Sequence, residues 1–376
     1  MKLPLPNLFD FAPSELSQDA FFCWLLSHAD HAYVEHELYA AARNMLLSMM
    51  NIVRKSGFDG LADKTWCVDI SRQNGNIDIL VTINQQWVIL IESKTNSKHH
   101  SNQLQRYIEQ LQKDGFDEHH LLVIYLKTGH ESRHSIRTMT DAVLRDTGMQ
   151  VAIFDRTQIL QVLNQAKVQN VIFNQYQDYL NKIEQNSRSF LSLLIGELKR
   201  PTKTELQASL RLQAKEPLRC CAWEGFASYL DNRHGIQDKI RDWFWVSSLS
   251  GNFLAIDFKP IRWRGCYVLM AIHEHKIVFG IDTGNLSETD TANLTASRAK
   301  WRDEFLQKVA DGIERYPELN INIVKRKGNG VFMKVAQVES EDWLGADDKS
   351  MGDDLEVIMD RLSQYYQFLL MLGDDA

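Results

Sequence analysis

Two carboxylates and a lysine are the residues of this chain best placed to do chemistry. Asp78 lies in one apolar run, and Glu92 and Lys94 end a second one after a short polar segment. Two such runs, rich in Ile, Val and Leu, predict a β-hairpin. If its turn is centred on Gln85, Asp78 and Glu92 are cross-strand neighbours within roughly 5 Å. Lys94 then shares the face of Glu92, because side chains alternate along a strand.

This arrangement predicts a metal site. Two neighbouring carboxylates repel each other unless a cation lies between them, and hard oxygen ligands suit Mg²⁺ or Mn²⁺. A lysine beside the metal can orient a water molecule or stabilise charge on a phosphate. We therefore predict metal-dependent phosphodiester hydrolysis. The alternative is an exposed edge hairpin with a surface Glu–Lys pair, which is disfavoured because charges in apolar strands need partners or a metal.

The polar segment and helix that follow the hairpin supply further candidates. Gln103 and Tyr107 lie four residues apart, on one face of the predicted helix. Gln103 could fix a water or a carboxylate, and Tyr107 could bond a phosphate. A helix that only packs through its apolar face is the competing interpretation. Lys98 and Arg106 border the proposed site and are candidates for phosphate contact.

These motifs resemble those of the PD-(D/E)XK nuclease superfamily. Asp78 is followed after thirteen residues by the Glu-x-Lys pattern of 92–94, and Gln103 with Tyr107 is similar to the Gln-x-x-x-Tyr signature of recombination-type exonucleases. One departure is Ile77, which stands where the superfamily name has proline.

The resemblance implies a role for each residue and a class of substrate. It implies a Mg²⁺ or Mn²⁺ ion and these site residues: Asp78, Glu92 and the main-chain carbonyl of Ser93 for the metal, Lys94 for the attacking water, and Gln103 and Tyr107 in support. The implied substrate is DNA, with RNA not excluded, and the implied role is restriction, phage defence, repair or recombination.

A further metal ligand is expected from the first helix, predicted over 13–26. The segment Ser14–Phe21 resembles the opening of a bacterial subfamily of the superfamily, whose first core helix often supplies a glutamate. Glu15 is that candidate, and Glu35 and Glu37 are weaker ones. Glu15 could equally be a carboxylate that is favoured near a helix N-terminus by the helix dipole.

The order of predicted elements defines the fold class. Residues 1–190 read as two helices, three strands, a helix, a strand and a further strand and helices, which fits an α/β fold with a mixed sheet flanked by helices. The second helix is predicted from about Val34 to Arg54, and the first strand over Trp66–Arg72. This is the restriction-endonuclease-like core that the resemblance implies. Polar segments between 185 and 204 predict a boundary. Residues 205–376 are predicted to form an α+β accessory domain, with one strand over Ile321–Lys327, that binds nucleic acid or a partner.

Two basic turns in the accessory domain are candidate nucleic-acid contacts. Arg262 and Arg264 flank a tryptophan, and Lys325, Arg326 and Lys327 form the second turn. Basic residues beside an aromatic suit phosphate contact with base stacking. Each turn taken alone could equally be a solvated hairpin tip.

Composition sets the remaining expectations. The net charge of −7 gives no general support for nucleic-acid binding, so local basic patches and metal ions must attract phosphate. Five cysteines without metal-ligand spacing, and a beginning without the apolar core of a signal peptide, predict a cytoplasmic protein. No apolar run approaches the roughly 20 residues of a membrane span. A homo-oligomer and a defence-system partner protein stay open. The competing functions are a nucleic-acid-binding protein that does not cleave and a protein-interaction module.

Overall fold

The chain divides into two compact units, 1–131 with 135–185 and 132–134 with 186–376. The computed structural model describes these residues: 6–12, 14–52, 58, 60–74, 77–99, 102–194, 222–248, 251–273, 276–284, 291–325, 331–344 and 355–373.

The first unit is an α/β structure, as predicted. Its described helices are α1 (Leu8–Phe11), α2 (Glu15–Ser27), α3 (Tyr39–Ile52), α4 (Gln103–Lys113), α5 (Arg133–Thr147), α6 (Arg156–Gln165) and α7 (Val171–Leu194). Its described strands are β1 (Val68–Asn74), β2 (Ile77–Ile83), β3 (Trp87–Lys94), β4 (Leu121–Lys127) and β5 (Val151–Asp155).

These strands form one mixed sheet in the order β1-β2-β3-β4-β5. β1, β2 and β3 are antiparallel neighbours, whereas β3, β4 and β5 run parallel. In the β2–β3 hairpin Ile83 pairs with Trp87 and Ile79 with Ile91, which confirms the predicted register. The strand pairing ends at Ile79 and Ile91, one residue before Asp78 and Glu92.

β3 and β4 are buried on both faces of the sheet. Ile89 and Ile91 pack into the core formed with α2, α3, α6 and α7, whereas Val88 and Leu90 pack against α4 and α5. Because side chains alternate, Glu92 and Lys94 belong to the α4 face, and the side chain of Ser93 belongs to the α2 face. β3 therefore presents functional groups to both sides of the sheet.

Two predicted boundaries in the first unit are corrected. The second helix was expected from about Val34 but begins at Tyr39, because residues 34–38 form turns that follow a 3₁₀ turn over His31–Tyr33. The strand expected at Trp66–Arg72 begins and ends two residues later, at Val68–Asn74 (β1). The indole of Trp66 is fully buried and donates to the carbonyl of Leu61.

The second unit has α+β character. Its described helices are α8 (Ala222–Asn232), α9 (Thr291–Arg315), α10 (Ser340–Leu344) and α11 (Leu355–Met371), and its described strands are β6 (Ile240–Ser248), β7 (Gly251–Phe258), β8 (Ile261–Trp263), β9 (Cys266–His273), β10 (Lys276–Asp282), β11 (Asn322–Ile323) and β12 (Phe332–Val338).

These strands form a second, antiparallel sheet in the order β11-β12-β10-β9-β7-β6, with β8 paired to β9. Its core contains Phe279 and residues from α9 and α11, such as Phe305 and Phe368. Of the strand predicted over Ile321–Lys327, the described residues 321–325 contain the paired segment β11, and residues 326–327 lie outside the described residues. Within the described parts of both units, no helix has the length and apolar character needed to cross a membrane.

Candidate active site

The carboxyl end of β3 brings the three predicted groups together on one face of the sheet. The main-chain nitrogen of Ser93 donates to Asp78 Oδ2 at 3.0 Å, which holds this carboxylate beside β3. The side chain of Glu92 is fully buried, and that of Asp78 is 20% exposed. The site therefore combines one enclosed carboxylate with one that solvent reaches.

Three oxygens surround the ammonium group of Lys94. Its Nζ atom lies 2.5 Å from Glu92 Oε1, 3.2 Å from the carbonyl oxygen of Ser93 and 3.5 Å from Asp78 Oδ2. These are the three groups predicted to bind the metal. They lie around the positively charged group of Lys94, which shows that this cluster of oxygens suits a cation.

The donor set fits a hard divalent ion. Both oxygens of Glu92 are buried, and among the described residues no hydrogen-bond donor reaches Oε2. A buried carboxylate oxygen without a donor is costly unless a cation binds it. No cluster of three or more His, Cys, Asp or Glu side chains in the described ranges could hold a metal. The proposed ligands are therefore the carboxylates of Asp78 and Glu92 and the main-chain carbonyl of Ser93, and Mg²⁺ and Mn²⁺ prefer such oxygen ligands.

The electrostatics of the site assign a charge to each group. Burial, the neighbouring carboxylate of Asp78 and the more distant Glu15 raise the pKa of Glu92 to about 7, although Lys94 opposes this shift. Burial lowers the pKa of Lys94, but its hydrogen bond and attraction to Glu92, with attraction to Asp78, outweigh burial and raise it. Lys94 therefore stays charged at neutral pH, and Glu92 is the group that gains a proton.

Gln103 and Tyr107 lie on the helix that covers this face. Gln103 Nε2 donates to the hydroxyl oxygen of Tyr107 at 2.9 Å, and Tyr107 is buried. Burial and the nearby carboxylates of Glu92 and Asp78 raise the pKa of Tyr107. The hydroxyl accepts from Gln103, so its own proton is available to a phosphate oxygen.

The helix α2 brings Glu15 to the segment that follows β3, and its role as a metal ligand stays a prediction. Glu15 Oε1 accepts from the main-chain nitrogen of Thr95 at 3.2 Å and from Ser97 Oγ at 2.5 Å. Glu15 thus holds the segment that follows β3, and this oxygen is not among the three around Lys94. Of the weaker candidates, Glu35 is exposed, and exposed Glu37 accepts from the main-chain nitrogen of Gln169.

Two buried residues of the same helix were missed. Gln18 Nε2 donates to Ser93 Oγ at 2.8 Å, and Gln18 Oε1 accepts from Thr128 Oγ1 at 2.5 Å. Burial raises the pKa of Asp19 to about 6, with Asp78 adding to the shift and a hydrogen bond from Ser93 opposing it. The sequence feature that could have indicated these residues is the polar pair Gln18-Asp19 within the apolar stripe of the predicted helix.

The candidate nucleic-acid contacts have varied surroundings. Lys98 is half-buried, and exposed Arg106 donates to the carbonyl of Asn102 at 3.3 Å. In the second unit Arg262 stacks over the ring of Tyr267 at 5.4 Å.

The two basic turns are only partly described. Arg264 lies 5.1 Å from the ring centroid of Trp263 and forms an ion pair with Glu304, so this carboxylate offsets its charge. Lys325 is exposed, while Arg326 and Lys327 lie outside the described residues.

The comparisons with known proteins agree with the geometry. Residues 6–192 match the family model of the PD-(D/E)XK nuclease superfamily. No curated protein and no solved structure matches the chain. The matched range contains the whole mixed sheet of the first unit and the cluster around Lys94. Through this range the chain belongs to the PD-(D/E)XK nuclease superfamily.

Proposed function

We propose that the protein is a nuclease that uses Mg²⁺ or Mn²⁺ to hydrolyse phosphodiester bonds in DNA. The observation that carries this proposal is the clustering of three oxygens around one cationic group: Asp78 Oδ2, Glu92 Oε1 and the Ser93 carbonyl lie 3.5, 2.5 and 3.2 Å from Lys94 Nζ. A protein that only binds nucleic acid has no need for a buried carboxylate beside a second one.

Each residue has a distinct task in this proposal. Asp78, Glu92 and the carbonyl of Ser93 hold the ion, which when bound activates water and neutralises charge on the phosphate. The charged ammonium of Lys94 orients the attacking water and stabilises the charge that develops on the phosphate oxygens. Tyr107 donates to a phosphate oxygen.

Two further parts of the proposal concern the substrate and the setting. Lys98, Arg106 and the basic turn at Arg262 supply local positive charge that the net charge of −7 does not. Gln103 supports the substrate contact by orienting the hydroxyl of Tyr107. We place the protein in the cytoplasm, in restriction, phage defence or DNA repair, with a homo-oligomer or partner protein as a further part of the proposal.

The test is cleavage of plasmid, linear duplex and single-stranded DNA, and of RNA, with Mg²⁺ or Mn²⁺. Asp78→Ala and Lys94→Ala are expected to reduce the rate by about 100-fold or more. Asp69→Ala, which removes an exposed carboxylate of the neighbouring strand β1, is the matched control and should cut like the wild type. Equal cleavage by all four proteins would place the activity elsewhere. A wild type that neither cleaves any substrate nor binds Mn²⁺ would favour the non-cleaving alternative.

A further inference from the structure

A second lysine ends a buried strand beside Lys94. Lys127 is the last residue of β4 and lies directly across the parallel ladder from Lys94. Lys127 is 2% exposed, so substrate cannot reach its ammonium group. A buried lysine needs partners, and these define what it does.

The partners of Lys127 lie on two different segments. Its Nζ atom donates to the carbonyl oxygen of Ser97 at 2.6 Å and forms an ion pair with Glu131 Oε2 at 3.3 Å. Glu131 also accepts from the hydroxyls of Tyr125 at 2.7 Å and Ser135 at 2.6 Å, and its side chain is fully buried. Glu131 is thus a fixed anchor, and Lys127 connects this anchor to Ser97.

Ser97 belongs to the segment 95–99, which follows β3 directly. This segment is held from the other side by Glu15, which accepts from Thr95 and Ser97. The loop after β4 also packs closely on it, since a Cβ atom at Gly129 would lie 2.2 Å from the Thr95 carbonyl oxygen. The segment therefore has a defined position at the carboxyl end of the sheet, and it carries Lys98.

We propose that Lys127 is a positioning residue of the nuclease reaction. By holding the Ser97 carbonyl against the Glu131 anchor, it fixes the segment 95–99 so that Lys98 meets the phosphate backbone of the substrate. This inference rests on the proposed function. Lys127 touches neither the substrate nor the three oxygens around Lys94, and it therefore acts on substrate binding rather than on metal binding.

The competing role for Lys127 is charge compensation of Glu131 alone. Removing the lysine by itself cannot separate the two roles, because an unpaired buried Glu131 destabilises the fold in either case. The double variant Lys127→Met/Glu131→Gln removes both charges together. Replacing a buried ion pair by neutral groups is often tolerated by the fold. In this variant the Ser97 carbonyl loses its donor.

The experiment measures steady-state cleavage, Mn²⁺ binding by calorimetry and hydrogen exchange on the full chain. For the double variant we expect KM for DNA to rise by about 10-fold or more, because the loss lies in substrate positioning. Mn²⁺ affinity should stay that of the wild type, and amides of 95–99 should exchange faster than in the wild type. Lys127→Arg, which keeps a donor to Ser97, should recover part of the loss. Glu109→Gln/Lys113→Met, which removes an exposed glutamate and an exposed lysine from α4, is the control for the loss of both charges.

The outcomes separate this proposal from the proposed function. A folded double variant with wild-type KM overturns the positioning role of Lys127 and leaves the nuclease proposal intact. A tenfold loss of Mn²⁺ affinity in that variant also overturns it, because the lysine would then support the metal ligands. If the wild type cleaves none of the substrates, the nuclease proposal fails, and the positioning role fails with it.

Discussion

Glu92→Gln is expected to stabilise the metal-free protein at alkaline pH. Ionised Glu92 is unfavourable in the native state because it is buried and faces the Asp78 carboxylate, and the ion pair with Lys94 does not fully compensate for this. The pKa of Glu92 is raised from an ordinary value of 4.5 to about 7. Glutamine keeps the shape of the side chain and carries no charge at any pH.

The sign of the pH dependence follows from this raised pKa. Between pH 4.5 and about 7 the native state holds a proton on Glu92 that the unfolded state has released. The stability that this proton contributes is fully present below pH 4.5 and is lost as pH rises through about 7. At about 1.4 kcal/mol per pKa unit, the loss is about 3 kcal/mol. Glu92→Gln should thus match the wild type at pH 4.5 and exceed its stability by up to about 3 kcal/mol at pH 8.5.

The assay is denaturant-dependent hydrogen exchange of the amides of β3, in EDTA, at pH values between 4.5 and 8.5. These amides report on the first unit independently of unfolding in the second. Asp19 has the same sign of pH dependence, because its pKa is also raised, but its contribution is common to both proteins and cancels in their difference. Asp69→Asn is the control, since it removes a charge from an exposed position of β1.

One result would refute this reasoning. If Glu92→Gln is less stable than the wild type at pH 8.5, the ion pair with Lys94 outweighs burial, and ionised Glu92 stabilises the native state. Addition of Mn²⁺ at pH 8.5 provides an independent check. A ligand that binds the native state stabilises it, so the ion should stabilise the wild type and have little effect on Glu92→Gln.

Three further predictions concern groups around the site. Gln18→Leu should weaken Mn²⁺ binding by about 10-fold, because the hydrogen bond that fixes Ser93 is lost; an unchanged Kd in calorimetry would contradict this role. Gly129→Ala should lower the urea midpoint and cost about 1–3 kcal/mol, because its Cβ atom would overlap the Thr95 carbonyl, and a wild-type midpoint would show that the loop relaxes freely. Tyr107→Phe should reduce kcat/KM by about 10-fold, the effect of one lost hydrogen bond, with Mn²⁺ affinity retained; full activity would remove the tyrosine from the site.

The hairpin could be predicted from sequence because all of its determinants are local. The two apolar runs are separated by only three polar residues, Asn84–Gln86, and this short turn fixes the register. Asn84 and Gln85 take up the left-handed backbone conformation in this turn although neither is glycine. Once the register is set, alternation places Glu92 and Lys94 on one face.

The contacts of Gln18 and Lys127 could not be predicted in this way. Gln18 meets Ser93 across 75 residues and Thr128 across 110, so the contacts depend on how α2 packs against the end of the sheet. The sequence does contain a related pattern, because an apolar run that ends in lysine occurs twice, at Lys94 and at Lys127. This pattern does not predict which oxygens each ammonium group contacts.

The prediction for Glu15 shows the same division between local and long-range information. Its place at the start of the first helix was predicted, and the helix does begin there, with Ser14 at the N-cap position. The direction of its carboxylate depends on the path of the segment after β3. That segment presents the main-chain nitrogen of Thr95 and the hydroxyl of Ser97 to it, so Glu15 holds the loop.

The position of β3 explains why one short sequence can organise the whole site. Glu92 and Lys94 face α4, whereas the side chain of Ser93 faces α2 and meets Gln18. The Ser93 main-chain nitrogen meanwhile donates to Asp78 on β2. Because β3 is buried on both sides, α2 can position the Ser93 carbonyl through Gln18, while Glu92 and Lys94 lie on the opposite face of the sheet. A shift of Ser93 would move its carbonyl and the nitrogen that donates to Asp78 together, so we expect contacts on the α2 face to influence the proposed metal site.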